Sequence, residues 1–306
     1  MTEVLMERIG RHRRMQPIIA ALAVMLGACS GGSEDGNGAS GHASHDNVDA
    51  MSREHADDTA TPNAAASIAP GREVVTETLP YAEVGEQLVY GHFVFPADMV
   101  EPLPAVIVIH EWWGLNEGVR QMADRIAGEG YIVLAVDLFG GDVAQTPTEA
   151  RELMLEVVEN PEPANENLRQ AYEFVNTTAG APAVSSLGWC FGGGWSLNMA
   201  LLFPDELDAA VIYYGQVTDD EERLQPLDVP LLGIFAEDDR GIPLEGVQAF
   251  EAALENLDKE HEIRIFPGVG HAFANPTGRN YDETAATEAW NLTIDFLRRH
   301  LVINGT

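Results

Sequence analysis

Cys190 stands between two glycines in the segment Gly188-Trp-Cys-Phe-Gly192, where a strand-like apolar run gives way to a helical pattern. This spacing is typical of a nucleophile elbow, a strained turn whose close neighbours must lack side chains. The N-terminus of the following helix presents N–H groups and a partial positive charge, which favour a thiolate. The sequence therefore predicts Cys190 as a nucleophile. A buried, inert cysteine is the alternative, but it does not explain the paired glycines.

An acid and a base follow Cys190 in the order that the same fold requires, namely nucleophile, acid and histidine. Asp238 and Asp239 come directly after the apolar run 231–235 and precede Pro243. His271 lies in a glycine-rich loop after the run 263–266. The spacing predicts His271 as the base and leaves both aspartates open as the acid.

The segment His110-Glu-Trp-Trp-Gly114 directly follows the apolar run 105–109. It is not an HExxH zinc motif, because Gly114 stands where the second histidine would be. In α/β-hydrolases this loop supplies one oxyanion-hole N–H and the residue after the nucleophile supplies the other, which predicts the backbone N–H groups of Trp112 and Phe191. Glu111 either exchanges a proton with a nearby thiol or is a structural carboxylate.

These candidates all follow short apolar runs that alternate with helical segments from residue 73 onward. Continuous apolar runs predict strands covered on both faces, and their alternation with helices predicts a mostly parallel sheet. We therefore expect one α/β domain of the α/β-hydrolase fold over residues 73–304, with helices on both faces of the sheet and an antiparallel strand pair at 74–78 and 87–95. The other expected strands are 105–109, 131–136, 184–187, 209–213, 231–235 and 263–266.

The first 72 residues have a different composition. A basic segment, a short apolar core and the ending Leu26-Gly-Ala-Cys29 predict a lipoprotein signal peptide over residues 1–28, with Cys29 as the lipidated residue. Ser30 after this cysteine favours the outer membrane, so we expect an exported lipoprotein of a Gram-negative bacterium, in the periplasm or outer membrane. Residues 29–72 are predicted to be a flexible tether. Its histidines, His42, His45 and His55, lie near aspartates, but a solvated spacer is favoured over a metal site.

The charge excludes several partners. The chain has 306 residues, with 49 Asp and Glu against 17 Lys and Arg, for a net charge of −32. Such a surface repels phosphate backbones and has no polybasic membrane patch, so we expect no nucleic-acid partner and membrane contact only through the lipid anchor. We expect a monomer with no metal and no cofactor. A dinucleotide cofactor is disfavoured because no Gly-x-Gly-x-x-Gly motif follows the first parallel strand.

Together these residues resemble the dienelactone hydrolase family over about residues 75–300. The motifs that carry the resemblance are His-Glu-Trp-Trp-Gly at 110–114, Val-Asp-Leu-Phe at 136–139, Gly-Trp-Cys-Phe-Gly-Gly at 188–193, Asp239 four positions before Pro243, and Gly-His-Ala-Phe at 270–273.

The resemblance implies further roles. It selects Asp239 over Asp238 as the acid, and it implies that Glu111 lies near the resting thiol and helps generate the thiolate. Family members that open dienelactone bind its carboxylate with a serine and an arginine, at positions that are Ala272 and Asn275 here. A neutral substrate is therefore expected.

The function expected from these features is hydrolysis of a small ester or lactone through a Cys-His-Asp triad and a thioacyl-enzyme. The alternative is a catalytically idle, ligand-binding lipoprotein on the same fold.

Overall fold

The computed structural model describes residues 7, 45–56, 68–276 and 278–301. Apart from residue 7, the predicted signal peptide lies outside the described residues, as do Cys29 and most of the predicted tether. In the part that the structure describes, no helix is both long and apolar enough to cross a membrane.

Eight strands form one sheet in the order β1-β2-β4-β3-β5-β6-β7-β8. The first two strands form the predicted antiparallel pair, and β2 is also antiparallel to β4. All other neighbours are parallel. The strands are β1 Val74–Val84, β2 Gln87–Pro96, β3 Ala105–Ile109, β4 Ile132–Val136, β5 Val184–Trp189, β6 Ala209–Tyr213, β7 Leu231–Ala236 and β8 His261–Phe266.

The helices mostly follow the strands, as the alternating pattern predicts. They are α1 His45–Glu54, α2 Glu117–Gly128, α3 Pro147–Glu159, α4 Glu162–Glu173, α5 Phe191–Leu202, the short α6 Glu221–Leu224, α7 Leu244–Asn256 and α8 Glu283–His300. A π-helical turn at Phe174–Thr178 continues α4.

The five central strands carry the hydrophobic core. Every residue of β3, β4, β5, β6 and β7 is buried. Because successive side chains in a strand point to opposite faces, complete burial requires cover on both sides of the sheet. The predicted α/β-hydrolase architecture, with a mostly parallel sheet between helical layers, is confirmed.

Helix α1 differs from the predicted flexible tether, within which it lies. Val48 and Met51 are buried against the domain, and Asp49 accepts hydrogen bonds from the Arg151 guanidinium on α3 at 2.6 and 2.9 Å. His55, just after the helix, is also buried. The spacing of Val48, Met51 and His55 is that of one helical face, which explains why this short segment packs instead of remaining solvated.

A buried hydrogen-bond cluster joins β1 to the loop after β4. The Tyr81 hydroxyl accepts from the backbone N–H of Asp137 at 3.1 Å and donates to Asn167 Oδ1 at 2.5 Å. Asn167 Nδ2 in turn donates to the Asp137 carbonyl at 2.8 Å. Burial raises the pKa of Tyr81 far above its ordinary value, so the hydroxyl stays protonated.

Tyr81→Phe is expected to lower the free energy of unfolding by about 1–3 kcal/mol, because it leaves buried groups of Asp137 and Asn167 without the hydroxyl. Denaturant unfolding measures this change. Tyr90→Phe is the matched control, since Tyr90 is 48% exposed. Equal effects of the two substitutions would contradict a structural role for the Tyr81 cluster.

Candidate active site

The turn between β5 and α5 holds Cys190 in a conformation that few residues adopt. Cys190 has φ 55° and ψ −119°, and its side chain is 2% exposed. A Cβ atom on Gly188 would collide with the backbone of Gly192, and one on Gly192 would collide with the carbonyl of Ile109. The glycine spacing is therefore required by the close approach of β3, β5 and α5, as expected for a nucleophile elbow.

Asp239 and His271 form a buried pair in the loops after β7 and β8. His271 Nδ1 donates to Asp239 Oδ2 at 2.7 Å. The other carboxylate oxygen, Oδ1, accepts from the backbone N–H groups of Gly241 and Ile242, both at 2.8 Å. Asp238, the other candidate acid, is exposed. The structure thus brings Asp239, and not Asp238, to the histidine.

The surroundings of His271 act on its pKa in opposite directions. Burial by itself lowers the pKa of His271, but the Asp239 carboxylate and the Cys190 sulfur raise it well above its ordinary value. A ring nitrogen of His271 lies within 4.8 Å of Cys190 Sγ. The imidazolium form is therefore stabilised next to the cysteine.

The loops that follow β3 and β5 lie side by side, because Ile109 pairs with Gly188 in adjacent parallel strands. This register places Trp112 and Phe191 at the same edge of the sheet as Cys190. As the first residue of α5, Phe191 has a backbone N–H that no earlier helical carbonyl can accept. Trp112 is 2% exposed and lies in the turn after β3.

His110 connects this loop to the loop after β4, a role that sequence reasoning did not assign. Its Nδ1 donates to the Glu111 carbonyl at 2.6 Å, and its Nε2 accepts from the backbone N–H of Leu138 at 3.0 Å. Burial lowers the pKa of His110 against the opposing effect of Asp137, so the ring is neutral with its proton on Nδ1. His110 therefore fixes the backbone from which Glu111 and Trp112 project.

Glu111 is nearly buried and accepts a hydrogen bond from Asn275. The distance from Asn275 Nδ2 to Glu111 Oε2 is 2.6 Å, and Glu111 is 8% exposed. Asn275 therefore contacts a carboxylate of the protein itself at the position that the resemblance associates with substrate recognition. The crevice beside this pair has only about 20 Å³ of free space, which is room for about one water molecule.

Helix α1 and His55 cover the cysteine. Met51 Sδ lies 3.6 Å from Cys190 Sγ. The His55 ring packs between Trp112 and His271, with centroid distances of 5.1 and 5.0 Å. Sequence reasoning placed these two residues in a tether, and their helical spacing was the signal that could have identified them.

Tyr214 is another residue of the site that sequence reasoning missed. It follows β6 with φ 37° and is fully buried, with its ring centroid 5.1 Å from that of His271. Burial raises the pKa of Tyr214 well above its ordinary value, and the negative charges of Glu111 and Cys190 add to this effect. Its hydroxyl has no hydrogen-bond partner among the described residues.

Comparisons with known proteins agree with this architecture. A family model described as "Dienelactone hydrolase family" matches residues 90–301. A protein of Saccharolobus solfataricus named "Putative carboxymethylenebutenolidase" is 31% identical over 242 residues, which cover 67% of this chain and 93% of that protein.

Two solved structures share the fold. The crystal structure of a "Putative Dienelactone Hydrolase" from Klebsiella pneumoniae covers 73% of this chain and 98% of its own, at 24% identity and a TM-score of 0.66. A thermophilic esterase of Thermogutta terrifontis covers 75% and 97% at 18% identity, with a TM-score of 0.56. The extent of the family match, which takes in the elbow and the segments that hold Asp239 and His271, shows that this chain belongs to the dienelactone hydrolase family and is a hydrolase of that type.

Proposed function

We propose that the protein hydrolyses small neutral esters or lactones through a thioester on Cys190. The observation that carries this proposal is the proximity of three buried side chains. Asp239 binds His271 at 2.7 Å, and a ring nitrogen of His271 lies within 4.8 Å of the Cys190 sulfur. A nucleophile, a base and a group that orients the base are the parts that covalent acyl transfer needs.

In the acylation step the Cys190 thiolate attacks the substrate carbonyl, and a carbon–sulfur bond forms. The backbone N–H groups of Phe191 and Trp112 stabilise the oxyanion of the tetrahedral intermediate. The raised pKa of His271 keeps its proton available for the leaving alcohol oxygen as the ester carbon–oxygen bond breaks. The alcohol leaves and the acyl group remains on sulfur.

In the deacylation step the neutral His271 accepts a proton from water, and the water oxygen attacks the thioester carbonyl. The carbon–sulfur bond breaks, the carboxylic acid leaves, and the thiolate and imidazolium are restored. Because a thiolate is a good leaving group from the tetrahedral intermediate, esters with good leaving groups should be better substrates than amides.

The side chains near the site favour an uncharged substrate. Ala272 and Asn275 supply no cation, and Asn275 is bonded to Glu111. The net charge of −32 also opposes the approach of an anion. We propose that Glu111, which accepts a hydrogen bond from Asn275, assists formation of the thiolate.

Substrate access requires movement of the segment that covers the cysteine. Because Cys190 is 2% exposed and Met51 Sδ lies 3.6 Å from its Sγ, a carbonyl carbon reaches bonding distance of the sulfur only after covering residues such as Met51 move. The ion pair between Asp49 and Arg151 is partly exposed and holds α1 only weakly. The described conformation is therefore the closed state of the site.

We also propose that the chain is exported and held at the membrane through lipid on Cys29, as a monomer without a nucleic-acid partner. The signal-like residues 1–28 and the ending Leu26-Gly-Ala-Cys29 support this location. Radiolabelled fatty acid incorporated into the wild type but not into Cys29→Ser is the result expected. Equal labelling of both chains would contradict lipidation at Cys29.

Cys190→Ala is expected to abolish hydrolysis of p-nitrophenyl acetate, because it removes the nucleophile. Release of p-nitrophenol measures the rate. Cys29→Ser is the matched control, since Cys29 and Cys190 are the two cysteines of the chain. Wild-type activity in Cys190→Ala would reject Cys190 as the nucleophile, whereas absence of hydrolysis in the wild type would favour the idle, ligand-binding alternative.

Asp239→Asn is expected to lower kcat on the order of 10⁴-fold, because an amide cannot hold His271 in its productive protonation state. The neighbouring Asp238→Asn provides the control, since Asp238 is exposed and should leave kcat within about twofold of wild type. Steady-state kinetics on p-nitrophenyl acetate compare the two. A larger loss of kcat in Asp238→Asn than in Asp239→Asn would contradict the assignment of Asp239 as the acid.

A further inference from the structure

We propose that Cys190, His271 and His55 together form a binding site for a thiophilic divalent metal ion of the zinc type. One potential ligand atom from each residue lies within 4.8 Å of the others. All three side chains are buried, with exposures of 2%, 0% and 3%. Two of these ligands come from the catalytic loops and the third comes from the segment that covers them.

The donor set has the chemistry that zinc prefers. A thiolate and two imidazoles are common zinc ligands, with Zn–S and Zn–N distances of about 2.3 and 2.0–2.1 Å. In a tetrahedral site these bond lengths separate the ligand atoms by about 3.4–3.6 Å, so the three atoms need to approach by at most about 1.5 Å. Rotation of the His55 and Cys190 side chains covers a distance of this size.

The hydrogen bond from His271 Nδ1 to Asp239 leaves Nε2 as the nitrogen that can bind a metal. Its Nδ1 is bonded to Asp239 Oδ2, a carboxylate–histidine arrangement that is characteristic of zinc ligands because it fixes the ring and strengthens the other nitrogen as a donor. Nε2 of His271 is buried and makes no hydrogen bond of good geometry within the described residues. It is therefore the atom available for coordination.

Contacts of the covering segment place the His55 ring against the His271 ring. The Glu54 carbonyl accepts from Arg279 Nη2 at 3.3 Å, and the His55 ring packs against Trp112 and His271. A metal ion bound to all three residues would tie the segment to the catalytic loops. His55 is thus the ligand that distinguishes this site from simple metal capture by a reactive cysteine and histidine.

Metal binding and ester hydrolysis exclude each other at this site. The ion takes the Cys190 sulfur and His271 Nε2, which are the groups that attack carbonyl carbon and transfer the proton. Binding to the thiolate and imidazolium pair forms a metal–sulfur and a metal–nitrogen bond and releases the proton of His271 Nε2 to solvent. The ion therefore acts as a reversible inhibitor that holds the site closed, and not as a cofactor of the reaction.

Titration of the purified full chain with Co²⁺ tests the proposal independently of hydrolysis, because thiolate ligation produces an intense sulfur-to-cobalt charge-transfer band in the near ultraviolet. We expect this band in the wild type, its loss in Cys190→Ser, and displacement of cobalt by Zn²⁺. His55→Ala and His55→Gln should each weaken binding at least about tenfold, since each removes one of three ligands.

His261→Gln is the matched control, since His261 lies in β8 with its Nδ1 bonded to the Lys259 carbonyl, and it should bind cobalt as the wild type does. Zinc inhibition of p-nitrophenyl acetate hydrolysis should weaken in the His55 variants by the same factor as cobalt binding. Absence of the band in the wild type, or undiminished affinity in folded His55→Ala and His55→Gln, would overturn the proposal. A wild-type chain that shows the cobalt band but does not hydrolyse esters would refute the proposed function and leave the proposed metal site standing.

Discussion

The buried hydrogen bond between Asp239 and His271 is the interaction on which the chemistry of the site depends. Both side chains are removed from water, so each charge is costly unless the other compensates it. The remaining oxygen of Asp239 accepts hydrogen bonds from the backbone N–H groups of Gly241 and Ile242, which fix the orientation of the carboxylate. The anion in turn keeps His271 protonated despite its burial. One satisfied carboxylate thus controls the charge of the group that must give and take protons.

This pair also links chemistry to stability. Because the folded-state pKa of His271 is raised, protonation of the ring stabilises the fold fully below the ordinary histidine pKa of about 6.5. That contribution is lost as the pH rises through the folded-state pKa. The opposite holds for His110, whose lowered pKa means that acid must protonate a buried neutral ring. The two histidines therefore contribute to stability with opposite pH dependence: the His271 contribution is lost as the pH rises and the His110 contribution as the pH falls.

Much of the architecture could be predicted from the sequence, because most of the strands are short apolar runs and the candidate functional residues follow them directly. The glycines around Cys190, together with the change from a strand-like to a helical pattern, predict the elbow, since a close approach of backbones tolerates no side chain there. The local sequence pattern does not separate Asp238 from Asp239, because both aspartates follow the same strand. Only the family resemblance favoured Asp239, and the turn geometry puts Asp238 at the surface.

The contacts that sequence reasoning missed are those made between segments distant in the chain. Asn275 meets Glu111 across 164 positions, and no local pattern marks such a contact. Met51 and His55 lie in a region of polar composition, where a single short apolar helical face carries little weight against its surroundings. Tyr214 was missed because tyrosine is not a residue type that indicates a positive φ, so nothing in the local sequence marks its backbone conformation. Long-range packing, and not local propensity, decided these positions.

A titration of the His271 imidazole by nuclear magnetic resonance is the most direct test of the central claim, which is that Asp239 controls the charge of His271. The account predicts that the pKa of His271 in the wild type lies well above its ordinary value. In Asp239→Asn the pKa of His271 should fall, because the carboxylate is the largest of the effects that raise it and only the Cys190 sulfur then opposes burial. An ordinary His271 pKa in the wild type, or an equally raised pKa in Asp239→Asn, would contradict the account.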